Sequence, residues 1–472
     1  MGIRTGIKAA AVQLGLSAAL SSPCSQEAFS QVALPSPTAP GGRFTPDPIR
    51  HLTSTSFFRQ APPREQSSLL HSAHAAFANS PVEKPKSTAA LIDQLLVICE
   101  SPAYARLSER DRQAVVTLAH LEVPGFERVF PTGLSSLEEP SSLGAIARDG
   151  GDLLQRVEAL SQGFNQRLGC PGALAARQLL TAVLQPNGIR QIGPTCFPTV
   201  LVRHLATAQP REFLRMTLDL IERGETETRH GLRLKFDDAW ASRSSSALLG
   251  FPVGQVLAWP LYQALFEAPV ADIEKSNGLG ELLTGIEASR FLGSDITFSA
   301  NSRRADFTLA VGDIVFLTPD AENRGHVFQV ARVAPERIAL YDPNGPRGMP
   351  SMVAARVRAL PGEEIESDGA LVSITPSLLE RIVATRYRLS PAARAAPCFS
   401  IERESGQIRE FFDRDSLRNF LQDERERFEA RTRSGNLPLG LVLSGLLIAV
   451  AIRALRSGRS PAPTSEQISS PG

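Results

Sequence analysis

The chain has 472 residues, more than one hydrophobic core usually serves, so two folded units with linkers are expected. Its hydrophobic content of 42% and charged content of 21% are those of an ordinary globular protein. With 50 Lys+Arg against 49 Asp+Glu the net charge is +1, which gives no electrostatic footprint for nucleic acid.

The chain opens with MGIRTGIKAAAVQLGLSAALSS, a basic start followed by an apolar, alanine-rich stretch. That order resembles a secretory signal, with an N-terminal amphipathic helix as the plainer reading. Residues 23 to about 65 are rich in Pro, Ser and Thr and read as a disordered linker, so 1–65 is taken as signal segment plus linker. From 66 to 185 the pattern is helical. Ser87 can cap a helix through Leu91, Ile92, Leu95 and Leu96, and Ser108 with Asp111 forms an acidic variant of a capping box before AVVTLAHL. This stretch is expected to be a separate all-helical unit.

The texture changes from 186 onward. Helical segments come first (the run after Cys196, REFLRMTLDLIERG, AWPLYQALFEA), then strand-like runs (DIVFL, HVFQVARV, RIALYD). Helices first and an antiparallel sheet later is an α+β order. Residues 371–385 and 406–430 read as helix again, so a catalytic domain is drawn at 186–390 and a charged helical segment at 391–436. From Leu437 to Ile452 no charge interrupts LPLGLVLSGLLIAVAI, and arginines flank both sides. Residues 437–455 are therefore expected to be a transmembrane helix, followed by a disordered tail at 456–472. A membrane-associated protein of the cell envelope or secreted space follows.

The five cysteines, Cys24, Cys99, Cys170, Cys196 and Cys398, form no zinc-type spacing. Buried thiols are the plain reading of all but Cys196, although Cys99 and Cys170 are compatible with a disulfide. Cys196 lies in Gln191-Ile-Gly-Pro-Thr-Cys196-Phe-Pro-Thr. Apolar residues recur at 197, 200, 201 and 205, which is helical spacing. Pro198 is tolerated only in a first helical turn, so the helix starts at Cys196 or Phe197. A thiol there sits at the positive end of the helix dipole, which favours its thiolate. The exposed backbone N–H groups of such an end can hydrogen-bond a developing oxyanion, and the Gln191 amide can supply a second donor.

The run Q-x-G-P-T-C followed by a helix resembles papain-like cysteine peptidases, and is most similar to the double-glycine-type bacterial enzymes. The resemblance covers about residues 186–345. It departs from the family in placing Gln191 five residues before the cysteine rather than six. It implies a helix bearing the nucleophile packed on an antiparallel sheet bearing a His and an Asp or Asn. It also implies acyl transfer through a thioester, with a protein or peptide substrate and no metal or organic cofactor.

Of the seven histidines, His326 is the candidate base. It follows Gly325 and opens the strand HVFQVARV; His230, at a turn, is its rival. His204 is two helical turns from Cys196 and cannot reach the thiol. A base of this kind needs a third group to hold its ring. Resemblance favours Asp342 of the Asp342-Pro343-Asn344 run, with Asn344 second. Hairpin register tests the choice. A two-residue turn at Pro335-Glu336 would place Asp342 on the face opposite His326, and proline forbids the positive φ that a type I′ turn needs. A three-residue loop is expected instead, pairing His326 with Asn344 and leaving Asp342 diagonal on the same face.

Residues 237–292 are expected to cover the site and shape a cleft without taking part in its chemistry. Trp240 and Trp259 are candidate cleft walls, with core packing the plainer role. Two other functions stay open. GDIVFL followed by GHV is similar to cell-wall cysteine amidases, and an amine acceptor would make a transglutaminase. The chain can also be a catalytically silent, membrane-tethered interaction protein on the same scaffold.

Overall fold

The structure is a computed structural model and describes residues 48–79, 84–119, 121, 123, 152–191, 195–236, 254–266, 284–300, 308–317, 326–344, 366–368, 371–402 and 406–433. Everything described lies in one unit of the chain, Asp47–Gly472. The signal-like N-terminus, the apolar run 437–455 and the tail lie outside the described residues. Among the described residues no helix is long and apolar enough to cross a membrane.

Helix begins earlier than composition implies. α1 (Pro48–Ser54) and α2 (Ser56–Gln60) occupy part of the stretch expected to be linker. Thr55 caps α2 by accepting from Phe58 N at 3.2 Å, and Leu52 and Phe58 are buried. There follow α3 (Pro63–Asn79), α4 (Lys84–Cys99), α5 (Pro102–Ala105) and α6 (Glu109–Ala119). At the start of α6, Ser108 Oγ accepts from Asp111 N (3.1 Å) and donates to the Asp111 carboxylate (2.6 Å). α7 (Leu153–Ser161), the short pair β1 (Phe164–Asn165) and β2 (Cys170–Pro171), and α8 (Gly172–Leu184) complete this region. One apolar core runs from Leu52, Leu95 and Val115 through Val157 and Leu179 into Leu201 and Leu218. The helices of 66–185 thus share their core with the residues that follow.

The next helices are α9 (Cys196–Ala208), α10 (Pro210–Arg223), α11 (Gly254–Phe266) and α12 (Gly285–Leu292), with the small hairpin β3 (Glu225–Glu227) and β4 (Arg233–Lys235) after α10. The sheet strands are β5 (Ser294–Ala300), β6 (Ile314–Leu317), β7 (Val327–Val333), β8 (Ile338–Tyr341), β9 (Glu366–Asp368) and β10 (Leu371–Ile374). After helix α13 (Pro376–Ile382) come β11 (Val383–Pro391), β12 (Phe399–Glu402) and β13 (Ile408–Phe411), then α14 (Arg414–Arg433).

The order is β13-β12-β5-β11-β6-β7-β8-β10-β9, and the fold is α+β with a mixed sheet. β12 joins β5 in parallel, so the sheet continues past the boundary expected at 390. The expectation of helix over 371–385 is corrected to strand, about two helical turns and strand. In LVSI only Val372 and Ile374 are fully buried, a period of two, and Thr375 caps α13 by accepting from Leu378 N at 3.3 Å.

The two faces of the sheet carry different cores. Ile314, Val327, Tyr341 and Tyr387 join the helical core, whereas Val315, Phe328, Val330, Ile338 and Leu340 pack with Leu378 and Leu379 of α13. α9 lies on the first face. Phe197 meets Phe316 and Tyr387, each at 5.6 Å between ring centroids, and Phe316 is the register partner of Val327. Six residues later Arg203 Nη1 donates to Gln329 Oε1 (2.7 Å), and Gln329 Nε2 donates to His204 Nδ1 (2.8 Å). Contacts advance along helix and strand together, so α9 and β7 run in the same sense. The N-terminus of α9 therefore lies toward the start of β7.

His204 is half-buried beside Arg203, and its desolvation, with the neighbouring positive charge, pulls its imidazole down to about 4 from the ordinary 6.5. A folded value below the unfolded one means the unfolded chain takes the proton first. The associated stability is complete above 6.5 and is lost as pH falls toward 4. The gap corresponds to about 3 kcal/mol. Urea unfolding should show the wild type losing up to about 3 kcal/mol more than His204→Gln between pH 7 and pH 4; equal losses in the two proteins would refute the assignment.

Candidate active site

α9 starts at Cys196, with Pro198 in its first turn as the sequence demands. Cys196 is half-buried, whereas Cys99, Cys170 and Cys398 are buried. Burial raises the pKa of all three, that of Cys99 to about 12, which keeps them protonated and unreactive. Cys99 and Cys170 are separate thiols and form no disulfide.

His326 Nε2 lies 2.9 Å from Asp342 Oδ1, with both side chains buried. A carboxylate can only accept, so the contact with Asp342 selects the tautomer with the proton on Nε2 and leaves Nδ1 as the acceptor nitrogen. Nδ1 makes no hydrogen bond among the described residues. Asn344 approaches Nε2 at 3.3 Å, and its backbone N–H donates to Asp342 Oδ1 at 2.9 Å. Asp342-Pro343-Asn344 is thus a tight turn that fixes its own carboxylate beside the imidazole.

The register behind this pair is reached by a route that differs from the expected loop. Ala334 N–H donates to Arg337 O (2.9 Å), so only Pro335 and Glu336 connect the strands. Val333 faces Ile338 and Arg332 faces Ala339, but Val330 faces Leu340. Ala331 is an extra residue, a bulge in β7. It shifts the register by one, and continuing the pairing of Gln329 with Tyr341 sets His326 opposite Asn344 and diagonal to Asp342. The three-residue loop is therefore corrected to a two-residue connection plus a bulge, with the same side-chain outcome.

Alternation also decides which way the imidazole points. The His326 ring packs edge-on against Phe328, 4.7 Å between centroids, on the face away from α9. His326 stands just before β7, so the path from Nδ1 to the head of α9 goes round the end of that strand. The cysteine loop is tied down at the same end. Gln191 N–H donates to Pro343 O (2.8 Å), and the Tyr341 hydroxyl donates to Ile189 O. Arg203 lies over the Tyr341 ring (5.1 Å) and holds Asn187 Oδ1 through Nε (3.1 Å) and Nη2 (2.7 Å).

His230, the rival base, packs its ring against Gly293 at the end of α12. Trp259 is buried in the core and Trp240 lies outside the described residues. The 237–292 stretch does touch the site, through Gln255 of α11. That residue is fully buried and bonded to the cysteine loop, and no local signal marks it because its partners are 56–65 positions away. Among the described residues no group of three or more His, Cys, Asp or Glu converges as metal ligands would.

No protein-family model matches this sequence, and no curated protein or solved structure matches it.

The tautomer is directly observable. Two-bond nitrogen–proton correlation spectra should show His326 protonated at Nε2 and bare at Nδ1 at neutral pH, with the preference lost in Asp342→Ala. A proton on Nδ1 in the wild type would remove the proposed base.

Proposed function

We propose that the chain is a papain-like, cysteine-dependent acyl-transfer enzyme, a hydrolase of peptide or amide bonds. The observation that carries this reading is the buried Asp342–His326 pair, which leaves Nδ1 basic at the strand end where Pro343 is bonded to the cysteine loop. Cys196 is the nucleophile. Its thiol gives a proton to His326 Nδ1, and the sulfur adds to the acyl carbon. The proton then goes to the leaving amine as the thioester forms. Water regenerates the thiol and releases the acid, while an amine acceptor would make the same site a transglutaminase. Gln191 and the α9 N-terminus are the oxyanion donors. Catalytic hydrogen bonds often close only around bound substrate, which accommodates an Nδ1 that is still unengaged.

One observation favours a second reading, a silent interaction protein on the same scaffold. The imidazole shares the Phe328 face, and α9 rests on the other. A thiol-directed probe read by peptide mapping separates the two. The enzyme reading expects labelling at Cys196 that falls about 10²-fold or more in His326→Ala. Comparing released peptides on expression of wild type and Cys196→Ala then identifies the substrate. Labelling that is unchanged in His326→Ala, or that falls on Cys99 or Cys170, leaves the silent scaffold.

We also read 437–455 as a membrane anchor and the N-terminus as a secretory segment, on the apolar run and its flanking arginines. Alkaline extraction of membranes should retain the full chain and release one truncated after residue 436; release of both rejects the anchor.

A further inference from the structure

We infer that Gln255 is a positioning residue that holds Arg190 and Thr195, the residues that precede Gln191 and Cys196; this rests on the cysteine-enzyme reading. Gln255, Thr195 and Thr199 are each fully buried. Gln255 Nε2 donates to Arg190 O, which can only accept, so the amide orientation is determined rather than assigned by choice. Its second N–H donates to Thr199 Oγ1 (3.2 Å), Thr199 Oγ1 donates to Thr195 Oγ1 (3.3 Å), and Thr195 Oγ1 donates to Gln255 Oε1 (3.2 Å). The three side chains close a ring in which every hydroxyl and amide proton has an acceptor.

The consequence falls on the two groups the chemistry needs. One amide holds Arg190, the residue before Gln191, and Thr195, the residue before Cys196. It therefore fixes the separation of the two backbone positions from which the proposed oxyanion donor and nucleophile project. Thr195 is the N-cap residue of α9, yet its hydroxyl serves the ring and does not cap the helix. The approach of α11 is close: a Cβ on Gly254 would meet Ile189 Cγ2 at 2.6 Å, so glycine lets Gln255 reach the loop. Buried polar networks of this kind rigidify only when complete, and removing one donor leaves the others unsatisfied.

The test is the pH profile of Cys196 alkylation by iodoacetamide, followed by peptide mapping in full-length protein. Gln255→Glu keeps size but cannot donate to Arg190 O when ionised, and Gln255→Ala deletes the ring. Thr199→Val removes one hydroxyl at constant volume and serves if the Gln255 variants do not fold. Wild type should show a thiolate inflection below that of an ordinary thiol. Folded variants should move it up and slow alkylation at pH 7 about tenfold. A low wild-type inflection that the folded variants retain overturns the positioning role and leaves the enzyme reading intact. An ordinary wild-type profile overturns both.

Discussion

A single extra residue in one strand governs the site. Side chains alternate across a sheet with a period of two, so a slip of one residue carries every later side chain to the other face. Without Ala331 the two-residue connection at Pro335-Glu336 would pair Asp342 with Gln329, and the carboxylate would point into the helical core. With the bulge, Asp342 joins His326 and Phe328. A buried carboxylate without a partner is strongly disfavoured, so the pairing and the bulge support each other.

A second set of polar contacts holds the helix layer to that sheet. Gln329 is fully buried and bonds Arg203, His204 and the Gly312 carbonyl (3.1 Å). Burial lowers the pKa of Arg203, whose guanidinium is held by the Gln329 and Asn187 oxygens and the Tyr341 ring. These bonds are directional where the surrounding aliphatic packing is not, so they set the axial position of α9 along β7. The position of Cys196 at the strand-start end follows from them.

Scaffold and chemistry place opposing demands on this arrangement. The imidazole is packed against Phe328 and bound by a carboxylate, which favours a rigid, oriented base. Cys196, the proposed nucleophile, heads a helix of the other layer, so the path from it to the imidazole goes round a strand end. Anchoring the connecting loop at Ile189, Arg190, Gln191 and Thr195 reduces the freedom with which that junction can open. An enzyme requires the junction to be set closely, whereas a binding scaffold tolerates it loose.

What could be read in the sequence was local. Pro198 restricts the helix start to Cys196 or Phe197, and α9 begins at Cys196. The strand-like runs at 314–317, 327–333 and 338–341 are strands, and Asp342 and Asn344 stand beside His326. These follow from backbone sterics and a two-residue or 3.6-residue period, which act over a few positions. Tertiary structure alone decided the bulge at Ala331, since an alanine in a strand carries no mark of being extra. It also decided the strands within 371–411, whose short runs become strands because β5, β6 and β8 offer paired edges. The role of Gln255 was likewise hidden, because a buried amide has meaning only through acceptors that the chain brings back from more than fifty residues away.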